Sequence, residues 1–209
     1  MSDGVAVSYG FGSELCGRLL TNVYRFRAEV FQNRLGWDVK VEDGMEIDEF
    51  DAIDPVYFIS QSDRNKIQGC TRILPTRGPS MLRDVFPQLL RGELMPEDPC
   101  VWEYSRFAVT PDRGVNKSYA SSHPVTFNLI RDSMVFACDN GITQYVAVMS
   151  VAFERLLKRL GLSMRRFGDG KSTMVGKVRS VACWIHVDSQ TLRALHLEHY
   201  ITERYAEAA

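Results

Sequence analysis

Residues 143 to 149, Thr-Gln-Tyr-Val-Ala-Val-Met, form a nearly all-apolar strand pattern between two helical patterns. A strand without a polar face has to be covered on both sides, which places it at the centre of a sheet. The helix before it, about 124 to 140, stops at Gly141, and the helix after it, 151 to 160, stops at Gly161. Other segments continue this alternation. A helical stripe covers about 13 to 35, and strands follow at 56 to 61 and 66 to 74 around the turn Asp63-Arg64-Asn65. A short helix at 80 to 90 leads to a strand at 101 to 109. Short β pieces, a strand at 180 to 187 and one or two helices close the chain. This order predicts a mixed central sheet with helices on both faces, a three-layer α/β/α sandwich.

With 209 residues, 45% of them hydrophobic, a single domain spanning 1 to 209 can bury about 70% of its unfolded surface. A net charge of −1 and a pI near 6.4 give no general attraction to nucleic acid or to a membrane. Five scattered cysteines without a Cys-x-x-Cys pair suit reduced thiols and argue against zinc. No signal-peptide pattern opens the chain, and the longest apolar stretch, Tyr145 to Phe153, is too short to span a bilayer, so a cytoplasmic location is expected. The acidic segment from Asp43 to Asp54 reads as a solvated loop, since its acids lack EF-hand spacing. Gly168-Asp169-Gly170-Lys171-Ser172 ends like a phosphate loop, but the first glycine of that motif would fall on Arg165. No metal is expected.

Four charged side chains sit where apolar ones belong. Glu103 and Arg106 interrupt the β-prone run Trp-Glu-Tyr-Ser-Arg-Phe, Arg72 shares a strand face with Cys70 and Leu74, and Arg27 falls on the apolar stripe of the first helix. An ion buried without a partner costs several kcal/mol, so these groups form either structural bridges or a site. Arg27 could instead snorkel to solvent. Glu103 and Arg106 are three apart, so on a regular strand they face opposite ways. Both reach one site only if the strand bulges or ends between them.

These positions resemble the N-acyl-homoserine-lactone synthases, the bacterial autoinducer synthases of quorum sensing. The match comprises Arg27 with Phe31, Trp37, Asp48 and Asp51 in Gly-Met-Glu-Ile-Asp-Glu-Phe-Asp, Arg72 in Gly-Cys-Thr-Arg-Ile-Leu-Pro-Thr, Phe86, and Glu103 with Arg106. The resemblance runs from about residue 20 to 187 and implies a fold related to the GNAT acetyltransferases. It also implies two substrates, S-adenosylmethionine as co-substrate rather than cofactor and an acyl group on acyl carrier protein, with methylthioadenosine released. In that setting Arg27, and Arg106 or Arg72, would meet the substrate carboxylate, and Phe31 and Trp37 would pack on the sulfonium or adenine. Phe86 would lie in the same site. Asp48 and Asp51 would complete an ion cluster with the arginines, and Glu103 would take the amine proton. Neighbouring arginines are expected to lower its pKa.

An acyl slot is expected from Met134, Ala147, Met149, Leu156 and Trp184. Family members that prefer 3-oxo chains tend to carry threonine on the central strand. Ala147 and Met149 stand there here, which favours an unsubstituted chain. From Arg155 to Arg179 eight basic residues face one acid, Asp169. Arg155, Lys158, Arg159, Arg165 and Arg166 are the expected dock for an acidic carrier protein. Two other readings stay open, a non-catalytic sensor of an acyl ligand or adenosyl cofactor, and a GNAT-type acetyltransferase using acetyl-CoA. The stretch from Val109 to Val115 is a poor version of the pyrophosphate loop that such acetyltransferases carry.

Overall fold

In the computed structural model residues 7 to 110 and 124 to 201 are described. An eight-stranded sheet runs in the order β1 (Val7–Phe11), β4 (Val56–Gln61), β5 (Ile67–Pro75), β6 (Val101–Val109), β7 (Gln144–Ser150), β10 (Val178–His186) and β8 (Met164–Arg166). β9 (Thr173–Val175) pairs with the start of β10. All pairings are antiparallel except that of β6 with β7, which the crossover helix α3 (Pro124–Asp139) makes parallel. The apolar strand at 143 to 149 is therefore central, as its composition requires.

One face of the sheet carries α3, α4 (Val151–Arg159) and α5 (Ser189–Ala194), packed over Tyr104, Tyr145, Ala147, Met149, Val181 and Cys183. The other face carries α1 (Gly17–Ala28) and the short α2 (Met81–Asp84). The α/β/α sandwich is as expected. Gly69 lets α3 approach β5, because a Cβ there would stand 2.7 Å from Val125 Cγ1 and 2.9 Å from Leu129 Cδ1.

Several boundaries differ from the sequence pattern. The first helix starts at Gly17 and widens into a π-helical turn over Glu29–Arg34, which holds both Arg27 and Phe31 inward. The helix expected at 80 to 90 is one α turn and a separate 3-10 turn, Pro87–Leu89, because Pro87 has no N–H to continue the ladder. Edge strand β1 and the hairpin β2 (Val41–Glu42) with β3 (Met45–Glu46) were not expected. Most of the stretch from Val109 to Val115 lies outside the described residues.

Two irregularities shape the middle of the sheet. On β6, Ser105 pairs with Arg72 and Ala108 with Cys70, so Arg106 and Phe107 together oppose Thr71. Arg106 takes φ 53°, a left-handed conformation rare for a side chain of its size. β6 and β7 pair only from Val101 and Gln144 to Tyr104 and Ala147, although both strands continue beyond. They part at Tyr104.

Candidate active site

The bulge meets the geometric demand set by Glu103 and Arg106. With one extra residue in β6, Glu103, Ser105 and Arg106 all reach the face that carries α2. Arg106 joins Arg27, Arg72 and three carboxylates there. The Asp48 side chain caps the 3-10 turn Glu49–Asp51 by accepting from Phe50 N at 3.0 Å, and Asp51 Oδ2 accepts from Asp48 N at 2.9 Å. That reciprocal cap turns both acids toward the sheet.

Arg27 is fully buried and donates to Glu46 (2.5 Å) and to both oxygens of Asp51 (2.7 and 2.9 Å). It does not snorkel. Arg72, also fully buried, donates to Asp48 (2.5 and 3.0 Å), to Asp51 (2.6 Å) and to Ser105 Oγ (3.2 Å). Arg106 donates to Glu46 (2.8 and 3.1 Å) and forms an ion pair with Asp48 at 2.7 Å. Three cations thus meet three anions, which is how the sheet tolerates them. Burial pushes the Asp51 carboxyl up, but the charges of Arg27 and Arg72 outweigh it and hold the group well below the usual carboxylate range. Tyr57 Oη donates to Asp51 at 2.6 Å, and burial with that negative charge raises the phenol. The segment read as a solvated loop is exposed at Asp43, Glu49 and Asp54, but Glu46 and Phe50 are buried. Glu46, absent from the expected site, is 1% exposed and links Arg27 to Arg106.

Glu103 stands apart from this neutral cluster. Its oxygens accept from Met81 N and Leu82 N, each at 2.7 Å, satisfying N–H groups that the first turn of α2 leaves free. Burial pushes its carboxyl up to about 7, against the two backbone bonds and a smaller contribution from Arg72. The expected lowering by an arginine is present, from Arg72, but burial outweighs it. Met81 Sδ lies 3.3 Å from Arg72 Nη2 and 3.4 Å from Arg106 Nη1. These two donors are matched with a weak, neutral acceptor.

Phe31 and Trp37 stack at 5.1 Å between centroids, with the Arg106 guanidinium 5.5 Å from the Phe31 ring centre. Trp37 Nε1 is buried without a hydrogen-bond partner among the described residues. Phe86 is half-buried between Leu82 and the Phe50, Leu74 and Met81 cluster. Every residue of the expected polar site is therefore gathered on one face.

Residues 13–195 match the family model for autoinducer synthases. The chain belongs to the autoinducer synthase family. It is 37% identical to an acyl-homoserine-lactone synthase of Pseudomonas aeruginosa over 96% of this chain and 98% of that one. A counterpart from Aliivibrio fischeri is 38% identical over 83% and 89%. Among solved structures, the AHL synthase LasI superposes with a TM-score of 0.83 at 37% identity, covering 93% of this chain and 96% of that one. BjaI, a CoA-dependent synthase solved with SAM and isopentyl-CoA, gives 0.80 at 28%, covering 92% and 88%. An acyl-CoA N-acyltransferase at 10% identity and a TM-score of 0.56 shares the fold alone. This autoinducer synthase is thus an acyltransferase with a GNAT-like fold, and acyl-homoserine-lactone synthesis is its activity.

The remaining expected residues of the synthase separate. Met134, Ala147 and Met149 pack together beneath α3, and Leu156 is buried on α4. Trp184 does not join them, because strand alternation sends it to the opposite face, where it stacks on Phe167 at 4.9 Å and donates to Glu93 at 2.9 Å. Of the five docking candidates, Lys158 and Arg166 both bind the buried Glu154 (2.8 and 2.6 Å), which lies one residue outside the basic run. Arg165 pairs with Glu93 at 2.7 Å. Arg155 and Arg159 are exposed and have no ion pair among the described residues.

Proposed function

We propose that this synthase transfers an acyl group from acyl carrier protein to the α-amine of S-adenosylmethionine and then closes the lactone. The observation that carries this reading is Glu103, a buried carboxyl near neutrality beside a bulge lined with cations. An α-amine with a pKa near about 8 transfers a proton readily to such a group, directly or through water. Glu103 passes that first proton to solvent; the neutral amine then attacks the thioester carbonyl, and its surplus proton goes by way of Glu103 to the departing sulfur, so the carrier leaves as a thiol. A carboxylate oxygen of the acylated substrate then attacks the carbon next to the sulfonium; the C–O bond forms as the C–S bond breaks, and methylthioadenosine departs as a neutral thioether.

The substrate carboxylate fits best at Arg72 Nη2 and Arg106 Nη1, where it replaces the Met81 thioether as acceptor. Arg27 then holds the cluster together, with Glu46, Asp48 and Asp51, rather than touching substrate. Phe31 and Trp37 offer the stacked surface for the sulfonium or adenine. Met134, Ala147, Met149 and Leu156 serve the acyl tail. Arg155 and Arg159, the two docking candidates without an ion pair among the described residues, suit an acidic carrier protein as donor rather than coenzyme A alone. We place the work in the cytoplasm, with residues 1 to 209 as one domain. The five cysteines are free, which suits a reducing compartment, and none of the described helices is long and apolar enough to cross a membrane.

Mass spectrometry of lactones extracted from a host expressing the chain tests the reaction and names the acyl group. Glu103→Gln should cut lactone formation at least about a hundredfold while S-adenosylmethionine still binds. Undiminished product from that variant would remove Glu103 from the chemistry.

A further inference from the structure

Glu103 leans on a single helical turn, and one side chain ties that turn down. With four residues, α2 is too short to hold helical geometry on its own in water, so groups outside it must fix where its free N–H groups point. Each of those groups has a partner. Met81 N and Leu82 N donate to Glu103, and Arg83 N donates to Ser80 Oγ at 3.3 Å. Asp84 Oδ2 accepts from Ser80 N at 2.8 Å, which closes the N-terminal end of the turn.

Arg83 links this turn to the sheet. Its side chain folds back over the loop that follows β5, where Nη2 donates to Thr76 O at 2.9 Å and Nη1 to Gly78 O at 3.1 Å. Thr76 is itself fixed, because it is fully buried and its N and Oγ1 donate to Val101 O, on the first residue of β6, at 3.3 and 2.7 Å. A chain of bonds thus runs from β6 at Val101 through Thr76 and Arg83 to the turn that returns to β6 at Glu103. Met81 and Leu82 are buried and set the depth of the turn, which leaves its tilt to Arg83. The ion pair of Arg83 with Glu97 adds little, since it spans 3.6 Å and the glutamate side chain is 71% exposed.

Resting on the reading of Glu103 as the proton acceptor, we propose that Arg83 is a positioning residue for it: by binding Thr76 O and Gly78 O it holds α2 where Met81 N and Leu82 N reach both oxygens of Glu103. Arg83 acts through the backbone of its own turn. The two N–H groups favour the charged form of Glu103 against burial, as does Arg72 from β5, while Asp84 from α2 opposes them. Loosening α2 leaves burial less opposed, so Glu103 keeps its proton to higher pH.

Release of methylthioadenosine by the full chain, with S-adenosylmethionine and a carrier-bound donor both saturating, tests this across about pH 6 to 9. Arg83→Met keeps the apolar stem and removes the donors. It should run about fivefold slower than wild type near neutrality, and the gap should close toward about pH 9, where Glu103 is ionised in both proteins. Arg83→Lys, which can still reach one carbonyl, should show the same trend at smaller size, and Glu97→Gln should match wild type throughout. A deficit of equal size at every pH, as a loop needed only for folding would give, overturns the proposal, and so does a wild-type rate for Arg83→Met at neutrality. Should Arg83→Met fail to fold, Arg83→Lys decides between a deficit that closes with pH and one that does not. A wild-type profile without a limb near 7 overturns the reading of Glu103 and this proposal with it; a wild-type limb beside a uniform deficit overturns the proposal alone.

Discussion

Glu103 accepts two backbone N–H bonds and still titrates near 7, well above the ordinary value of about 4.5 for its side chain. Its folded-state pKa is raised, so the sign of its effect on stability is fixed. Below about pH 4.5 the group is protonated whether the chain is folded or not, and it imposes no penalty. As pH rises through 7 the folded protein must carry a buried charge that the unfolded chain carries in water, and stability falls. Between pH 5 and 8 the wild type should lose roughly 2 kcal/mol from this group alone. Glu103→Gln removes that slope, although its amide leaves one of the Met81 and Leu82 N–H groups without an acceptor and costs about 1–3 kcal/mol at every pH. Denaturant unfolding at several pH values checks this; parallel profiles for the two proteins would show that Glu103 is not the titrating group.

At the scale of elements, the bulge in β6 sets the geometry of the site. Arg106 holds a left-handed backbone, so replacing it loses the guanidinium in every case but affects the strand differently according to the substitute. Arg106→Gly should be about 1 kcal/mol more stable than Arg106→Ala, with both inactive, because glycine adopts that conformation without strain. Chemical denaturation of the two variants settles the order. The bulge could be demanded from the sequence, since Glu103 and Arg106 needed one face, but its positive φ could not be read from an arginine. The hairpin at 41 to 46 carried a readable signal, Asp43-Gly44, and both residues have positive φ there, as a tight primed turn requires. The charged flanks hid it, because they lack the apolar alternation that usually accompanies such a turn. Missing the hairpin meant missing Glu46, which only strand geometry turns inward. β1 was invisible for a related reason: Val7-Ser8-Tyr9-Gly10-Phe11 is a short edge strand with a glycine in it.

For the molecule as a whole, the central strand, the crossover helix and the order of layers were legible because burial on two faces leaves an unmistakable apolar run. Which basic residues remain free was not legible, since Glu93 and Glu154 reach Arg165, Arg166 and Lys158 only through the fold. Arg155→Glu with Arg159→Glu should therefore raise KM for a carrier-bound donor about fivefold or more at low salt, with the difference shrinking as salt rises and kcat holding steady. An unchanged KM would remove this face from docking. The parting of β6 from β7 has a consequence for how such an enzyme can diversify. Glu103 and Tyr104 are joined by one peptide bond yet project into cores that share no buried residue. The sheet acts as a partition, with the charged cluster on one side and the α3-side apolar core on the other. With the proposed acyl site beneath α3, a lineage could vary the residues there, and with them the signal, while the ion cluster is inherited unchanged.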